Sequence, residues 1–145
     1  MISNGPQETI EYGRKFAKKL KGGEVIGLNG ELGSGKTTFI KGLAKGLKVR
    51  ETVTSPTFII LKTYPAKIDK KKIEFVHLDC YRIKSDDDAR SIGIEDYLGR
   101  ENIITVIEWP EKIRQILLKN IIDIYFRHQT PYKREISIKS ISNRK

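Results

Sequence analysis

The sequence predicts a three-layer α/β domain with a mixed, mostly parallel sheet and a C-terminal antiparallel hairpin. Two observations carry this. Apolar runs of strand length alternate with segments of helical periodicity through most of the 145 residues. The last two apolar runs are then joined by a short turn with no helix between them. No internal repeat or interdomain linker interrupts the chain, so residues 1–145 are read as one domain, with a basic tail from about 133.

Pro6 opens a helix that runs to about Leu20, with Ile10, Gly13, Ala17 and Leu20 on one stripe and Gly22-Gly23 as its stop. EVIGLN (24–29) reads as a buried strand and 36–45 as a helix stopped near Gly46. TFIILKTY (57–64) predicts a strand, 65–72 a lysine-rich loop, and KIEFVHLDCY (72–81) another strand. Ser85 offers an N-cap for a helix over 86–98. NIITVIEW (102–109) is almost continuously apolar, as a strand covered on both faces should be. Pro110 sits where proline best starts a helix, over 110–118. IIDIYFRHQ and REISIKSI flank Thr130-Pro131-Tyr132-Lys133 and form the closing hairpin.

Composition bounds the partners and the compartment. Apolar residues are 38% and charged residues 32%, which excludes a disordered chain. No apolar run approaches the ~20 residues that span a bilayer, the start MISNGPQETIEYGRK lacks the apolar core of a signal peptide, and Cys80 is the single cysteine. These predict a cytoplasmic protein that does not enter a membrane. The formal charge is +10 and clustered: 62–72 holds five lysines against one aspartate, and 133–145 five basic residues against Glu135. Such clusters are either solvated surface or a face for RNA or an acidic partner protein.

The segment GLNGELGSGKTT (27–38) places four glycines within nine residues, between a predicted strand and a predicted helix. Gly30, Glu31, Leu32, Gly33, Ser34, Gly35, Lys36 and Thr37 fit G-x-x-x-x-G-K-[ST], the phosphate-binding loop. Its glycines let backbone N–H groups turn inward around an anion, and the following helix adds its positive end. Lys36 would reach the β- and γ-phosphates and the Thr37 hydroxyl would ligate Mg2+. The loop therefore predicts a nucleoside triphosphate site. Magnesium and its waters need an acid nearby, and two strands end in one: Asp79 after FVHL and Glu108 after IITVI. A carboxylate closing an apolar run is hard to explain as packing.

The ordered set GELGSGKTT (30–38), VTSPTF (53–58), HLDCYR (77–82), IGIEDYL (92–98) and VIEWPEK (106–112) resembles the TsaE (YjeE) family of bacterial P-loop ATPases, over about residues 5–128. The resemblance implies a P-loop NTPase fold. It implies an ATP-binding, ATP-hydrolysing subunit that acts with TsaB and TsaD to form threonylcarbamoyladenosine in tRNAs reading codons that start with A. It implies ATP and Mg2+ as cofactors, the TsaB–TsaD complex as partner, and tRNA met through that complex. The phosphate loop would extend to Thr38, and Thr54 and Thr57 of VTSPTF would be γ-phosphate or magnesium contacts. Asp79 would position water or magnesium and Glu108 would be the magnesium-associated acid; which does which stays open, and Lys36 completes the catalytic set. ATP rather than GTP is likewise implied, no N-K-x-D guanine signature being present.

Other positions keep two readings. His77 and Tyr81 would share a strand face with Asp79 and either pack beside the site or order it by hydrogen bonds. Arg82 is either a charge partner of Asp79 or a phosphate contact. Trp109 is a core or interface aromatic or a ligand contact. Gln7 to Thr9 is the segment pointed to for the base. Two other functions fit a phosphate loop: a small-molecule kinase, which would usually carry an arginine-rich lid not found here, and a nucleotide-dependent scaffold with little turnover.

Overall fold

A computed structural model of the chain describes residues 1–54, 61–117 and 120–140. In chain order the elements are β1 (Ile2–Ser3), α1 (Pro6–Ala17), β2 (Val25–Asn29), α2 (Lys36–Gly46), β3 (Leu61–Ile68), β4 (Lys71–Asp79), α3 (Asp86–Ser91), β5 (Ile103–Glu108), β6 (Ile121–His128) and β7 (Arg134–Ser140), with 3-10 helices at Ile94–Asp96 and Pro110–Ile116. The strands form one sheet in the order β1-β7-β6-β2-β5-β4-β3. Its four central strands, β6, β2, β5 and β4, run parallel; β7 and β3 pair antiparallel with them at the two sides, and β1 pairs antiparallel with β7 at the edge. This is the mixed, mostly parallel α/β sheet with a closing β6–β7 hairpin that the sequence predicts.

Strand alternation divides the core into two layers. Ile26 and Leu28 of β2, Phe75 of β4, Ile104 and Val106 of β5 and Phe126 of β6 pack with Phe16, Phe39 and Leu43 of α1 and α2. Val25, Leu78 and Ile107 point the other way, to Ala89 of α3 and to Ile94, Ile113 and Ile116 of the 3-10 helices. Cys80 is buried in this second layer as a small apolar group, and burial pushes its thiol up to about 12. The helices α1 and α2 lie so close that a Cβ on Gly42 would stand 2.0 Å from the Ile10 carbonyl oxygen. That approach fixes where α2, and hence the loop before it, sits over the sheet.

Three sequence expectations are corrected. The lysine-rich stretch 65–72 is not a loop: β3 continues to Ile68, turns at Asp69-Lys70, and β4 starts at Lys71. Tyr64, Ala66, Ile73 and Phe75 bury their side chains in alternation, and Pro65 is accepted because β3 is an edge strand. The helix at Ser85 lasts only to Ser91, because Gly93 takes a left-handed φ of 78° before a separate 3-10 turn. The segment after Pro110 is a 3-10 helix broken at Ile113, where φ is −133°. The basic C-terminal stretch supplies the second strand of the predicted hairpin as far as Ser140, where β7 pairs with both β6 and β1; residues 141–145 lie outside the described residues.

Candidate nucleotide site

The strand β2 delivers the chain to its carboxyl end, where 30–35 loop back into the N-terminus of α2. Gly33 (φ 76°) and Gly35 (φ 105°) hold left-handed conformations that side-chain-bearing residues seldom adopt, and Gly35 caps α2. Ser34 N–H closes the turn onto the Glu31 carbonyl at 3.1 Å, and Phe39 N–H bonds Gly35 at 2.9 Å. The loop is held from below. Asn29, the residue before it, donates to Asp123 Oδ1 of β6 (3.0 Å), and Arg114 grips Asp123 through Nη2 (2.9 Å) and Nη1 (3.2 Å) and Asn29 Oδ1 through Nη2 (3.2 Å). Asp123 is almost wholly buried, so this compensated charge anchors the entry to the loop.

Above the loop lies a cavity of about 570 Å³. Leu32, Gly33, Gly35, Lys36, Thr37 and Thr38 form its floor, and Asp79, Tyr81, Arg82, Glu108 and Trp109 form one wall. Ser34 lies beneath, its hydroxyl buried without a hydrogen-bond partner among the described residues. Glu31 is exposed, and it and Gly30 border a second depression against β6 and β7 instead. Thr54 is exposed, and 55–58, with Thr57, lie outside the described residues.

The parallel register of β4 and β5 sets Asp79 beside Glu108, so the two strand-end acids stand side by side at the mouth of the loop. Glu108 is buried and meets the His77 imidazole, Nε2 to Oε2 2.8 Å. A carboxylate only accepts, which puts the ring proton on Nε2; Nδ1 is buried with no partner among the described residues. His77 therefore orders Glu108. Asp79 is half-buried and accepts the Tyr81 backbone N–H at 3.0 Å. Burial raises its carboxyl pKa, the Tyr81 bond opposes that rise and the neighbouring Glu108 charge adds to it. Tyr81 itself lies past the end of β4, not on its face, and packs its ring at a tilt against Trp109 with centroids 5.1 Å apart.

Lys36 is 4% exposed. Its Nζ donates to the Gly30 carbonyl at 2.6 Å and lies 3.7 Å from the centre of the Trp109 ring. Burial lowers its pKa, against the pull of Glu108, Glu111 and Asp79. Trp109 is held at φ 61°, an unfavourable value for so bulky a residue, and so turns its indole over the loop. Both positions thus line the cavity, and Trp109 also packs against the second core layer, so its indole bridges that core and the Lys36 ammonium.

The far wall comes from the two ends of the chain. Asn4, Gly5, Pro6 and Thr9 face Pro131, Tyr132 and Arg134, whose Nη2 donates to the Gly33 carbonyl at 3.2 Å. Of the N-terminal segment pointed to for the base, only Thr9 lines the cavity; the residues before it were missed. A proline beside a tyrosine in the hairpin turn was the one available signal.

The raised Asp79 carboxyl has a stability consequence. Its stabilising contribution is present below the unfolded aspartate range and is lost as pH rises through the folded value, so at neutral pH the ionised, half-buried group destabilises the fold. Asp79→Asn, whose oxygen still accepts from Tyr81, should melt above the wild type at pH 7. The gap should close near pH 3, and scanning calorimetry at the two pH values reads it directly; a lower melting point at pH 7 would contradict the assignment.

The fold and its loop define a class, an α/β protein with a phosphate-binding loop at the carboxyl end of its sheet. The family model described as threonylcarbamoyl adenosine biosynthesis protein TsaE matches residues 3–136, and the chain belongs to this family. It is 33% identical over 139 residues to the tRNA threonylcarbamoyladenosine biosynthesis protein TsaE of Bacillus subtilis, covering 96% of this chain and 84% of the relative. Identity to the protein of that name from Treponema pallidum is 34%, covering 94% and 97%, and to that from Aquifex aeolicus 41%, covering 77% of each. The crystal structure of Bacillus subtilis YdiB is similar with a TM-score of 0.78 at 29% identity, covering 99% of this chain and 86% of that one. No helix among the described residues is long and apolar enough to cross a membrane.

Proposed function

We propose that the chain binds ATP with magnesium in the cavity over 30–38 and hydrolyses it during threonylcarbamoyladenosine formation on tRNA, acting with TsaB and TsaD. The observation that carries this is the convergence of Lys36, Asp79 and Glu108 on one glycine loop capped by a helix N-terminus. The donor set suits both groups. Loop N–H groups, the α2 end and Lys36 fit a triphosphate, and the Thr37 hydroxyl with Glu108 supplies the oxygen ligands that magnesium takes. When bound, magnesium would neutralise charge on the β- and γ-oxygens.

The chain's own residues divide the remaining work. Lys36 leaves the Gly30 carbonyl and the Trp109 face to meet phosphate. His77 fixes one oxygen of Glu108, leaving the other for the metal side. Asp79, made more basic by burial, accepts a proton from the attacking water, and a base nearer neutrality does this better than an ordinary aspartate. Trp109 and Tyr81 keep bulk water from this end. The nucleoside end falls between Asn4–Pro6 and Tyr132, which is 80% exposed and flat enough to stack on a base.

The test is phosphate release from ATP by the pure chain, with and without the TsaB–TsaD pair. Turnover that rises on adding the pair is the expected result. Absence of turnover in both, with ATP bound, would replace the hydrolase by a nucleotide-dependent scaffold.

A further inference from the structure

The fold gathers a second charged feature at the pole opposite the cavity. Four segments meet there: 18–24 after α1, 45–51 at the end of α2, 67–72 at the β3–β4 turn and 99–102 before β5. Close contacts tie them together. The two helices are parallel, with Gly46 against Ala17. Lys67 N–H bonds the Leu47 carbonyl at 2.7 Å. Lys71 Nζ donates to the Glu101 carbonyl at 3.3 Å, beside Gly22. These segments hold eleven lysines and arginines against four carboxylates, a net +7 of the chain's formal +10. Lys72 lies on β4 seven residues before Asp79, so roughly 23 Å of strand separates this pole from the nucleotide site.

Lysines at the ends of α1 and α2 are partly explained by the negative helix ends they follow. The hairpin lysines are not. Lys67 and Lys72 are directly opposite across β3 and β4, where like charges destabilise a sheet. One lysine is enough to protect an edge strand from mispairing, so a facing pair calls for another cause. Among the described residues no ion pair involves either, and Glu24, the carboxylate nearest in sequence to the α1 lysines, is taken up by the N–H groups of Lys21 and Gly22.

We propose that this pole binds the phosphate backbone of RNA. A protein partner would need an apolar or aromatic anchor, since interface centres are enriched in aromatic side chains and depleted in lysine. None of the exposed large hydrophobic side chains lies in these four segments. A polyphosphate needs only spaced cations, which is what the pole offers. That the polymer is RNA rests on the proposed function; the cation surface does not.

The experiment is binding of an unmodified tRNA transcript to the full chain, followed by fluorescence anisotropy across a salt series. Lys48→Glu, Lys67→Glu and Lys72→Glu together should weaken binding at least about tenfold near 0.1 M salt and lower the log–log salt slope by about two to three. A control triple with the same charge change elsewhere, Lys84→Glu, Lys112→Glu and Lys139→Glu, should lose far less. The three Gln substitutions at 48, 67 and 72 relieve the facing charges, so that variant should melt no lower than wild type and still lose part of the affinity. ATP affinity, read by calorimetry on the same proteins, should not move. Equal losses in the pole and control triples would reduce the effect to net charge and overturn the proposal. So would unchanged RNA binding, or loss of TsaB–TsaD binding with RNA binding intact, which would place an acidic protein there.

Discussion

Glu108→Gln should bind ATP and hydrolyse it about ten- to a thousand-fold more slowly than wild type, the usual cost of removing a group that acts on the transition state. The substitution keeps the shape and an oxygen at the His77 contact but removes the charge beside Asp79 and Lys36. Asp79→Asn should lose turnover on the same scale, yet the two variants should differ in character. With Glu108 on the metal side, its variant needs more magnesium for half-maximal rate. With Asp79 as the proton acceptor, its variant loses the acid limb of the pH–rate profile, which in wild type lies above the range of an ordinary aspartate. Steady-state phosphate release across magnesium and pH separates them. Wild-type rates in both would leave the acids as strand ends with no part in chemistry.

Lys36→Ala should weaken ATP binding about tenfold or more, since a charge-assisted contact contributes roughly 1.5–3 kcal/mol. The loss is a net one: in the ligand-free chain Lys36 already holds the Gly30 carbonyl and the Trp109 ring, and binding exchanges these for phosphate. Because burial already disfavours its charge, removing the side chain should not unfold the protein, and a melting curve checks this. Calorimetry showing unchanged affinity in the folded variant would remove Lys36 from the site.

The phosphate loop was legible because its chemistry is local: glycines, lysine and threonine at fixed spacing between a strand and a helix. Asp79 and Glu108 were legible as acids closing apolar runs. Their side-by-side register, and the partnership of Glu108 with His77, needed the parallel pairing of β4 and β5, which no single segment states. The far cavity wall was hidden for the same reason. Asn4–Pro6 reaches the Pro131–Tyr132 turn only because β1 pairs with β7, Ile2 opposite Glu135. The β3–β4 hairpin was misread because lysines and Pro65 overrode a visible alternation of Tyr64, Ala66 and Ile68 with Ile73 and Phe75. Asp123 left one usable trace, an acid inside IIDIYF, whose burial calls for a cationic partner, supplied by the exposed Arg114.

The claim that the 30–38 cavity is an ATP site is tested most directly by calorimetric titration of ATP with magnesium into the wild-type chain. Saturable binding of one nucleotide per chain is the result this account predicts. Absence of saturable heat at millimolar ATP, from protein shown by its melting curve to be folded, would contradict it.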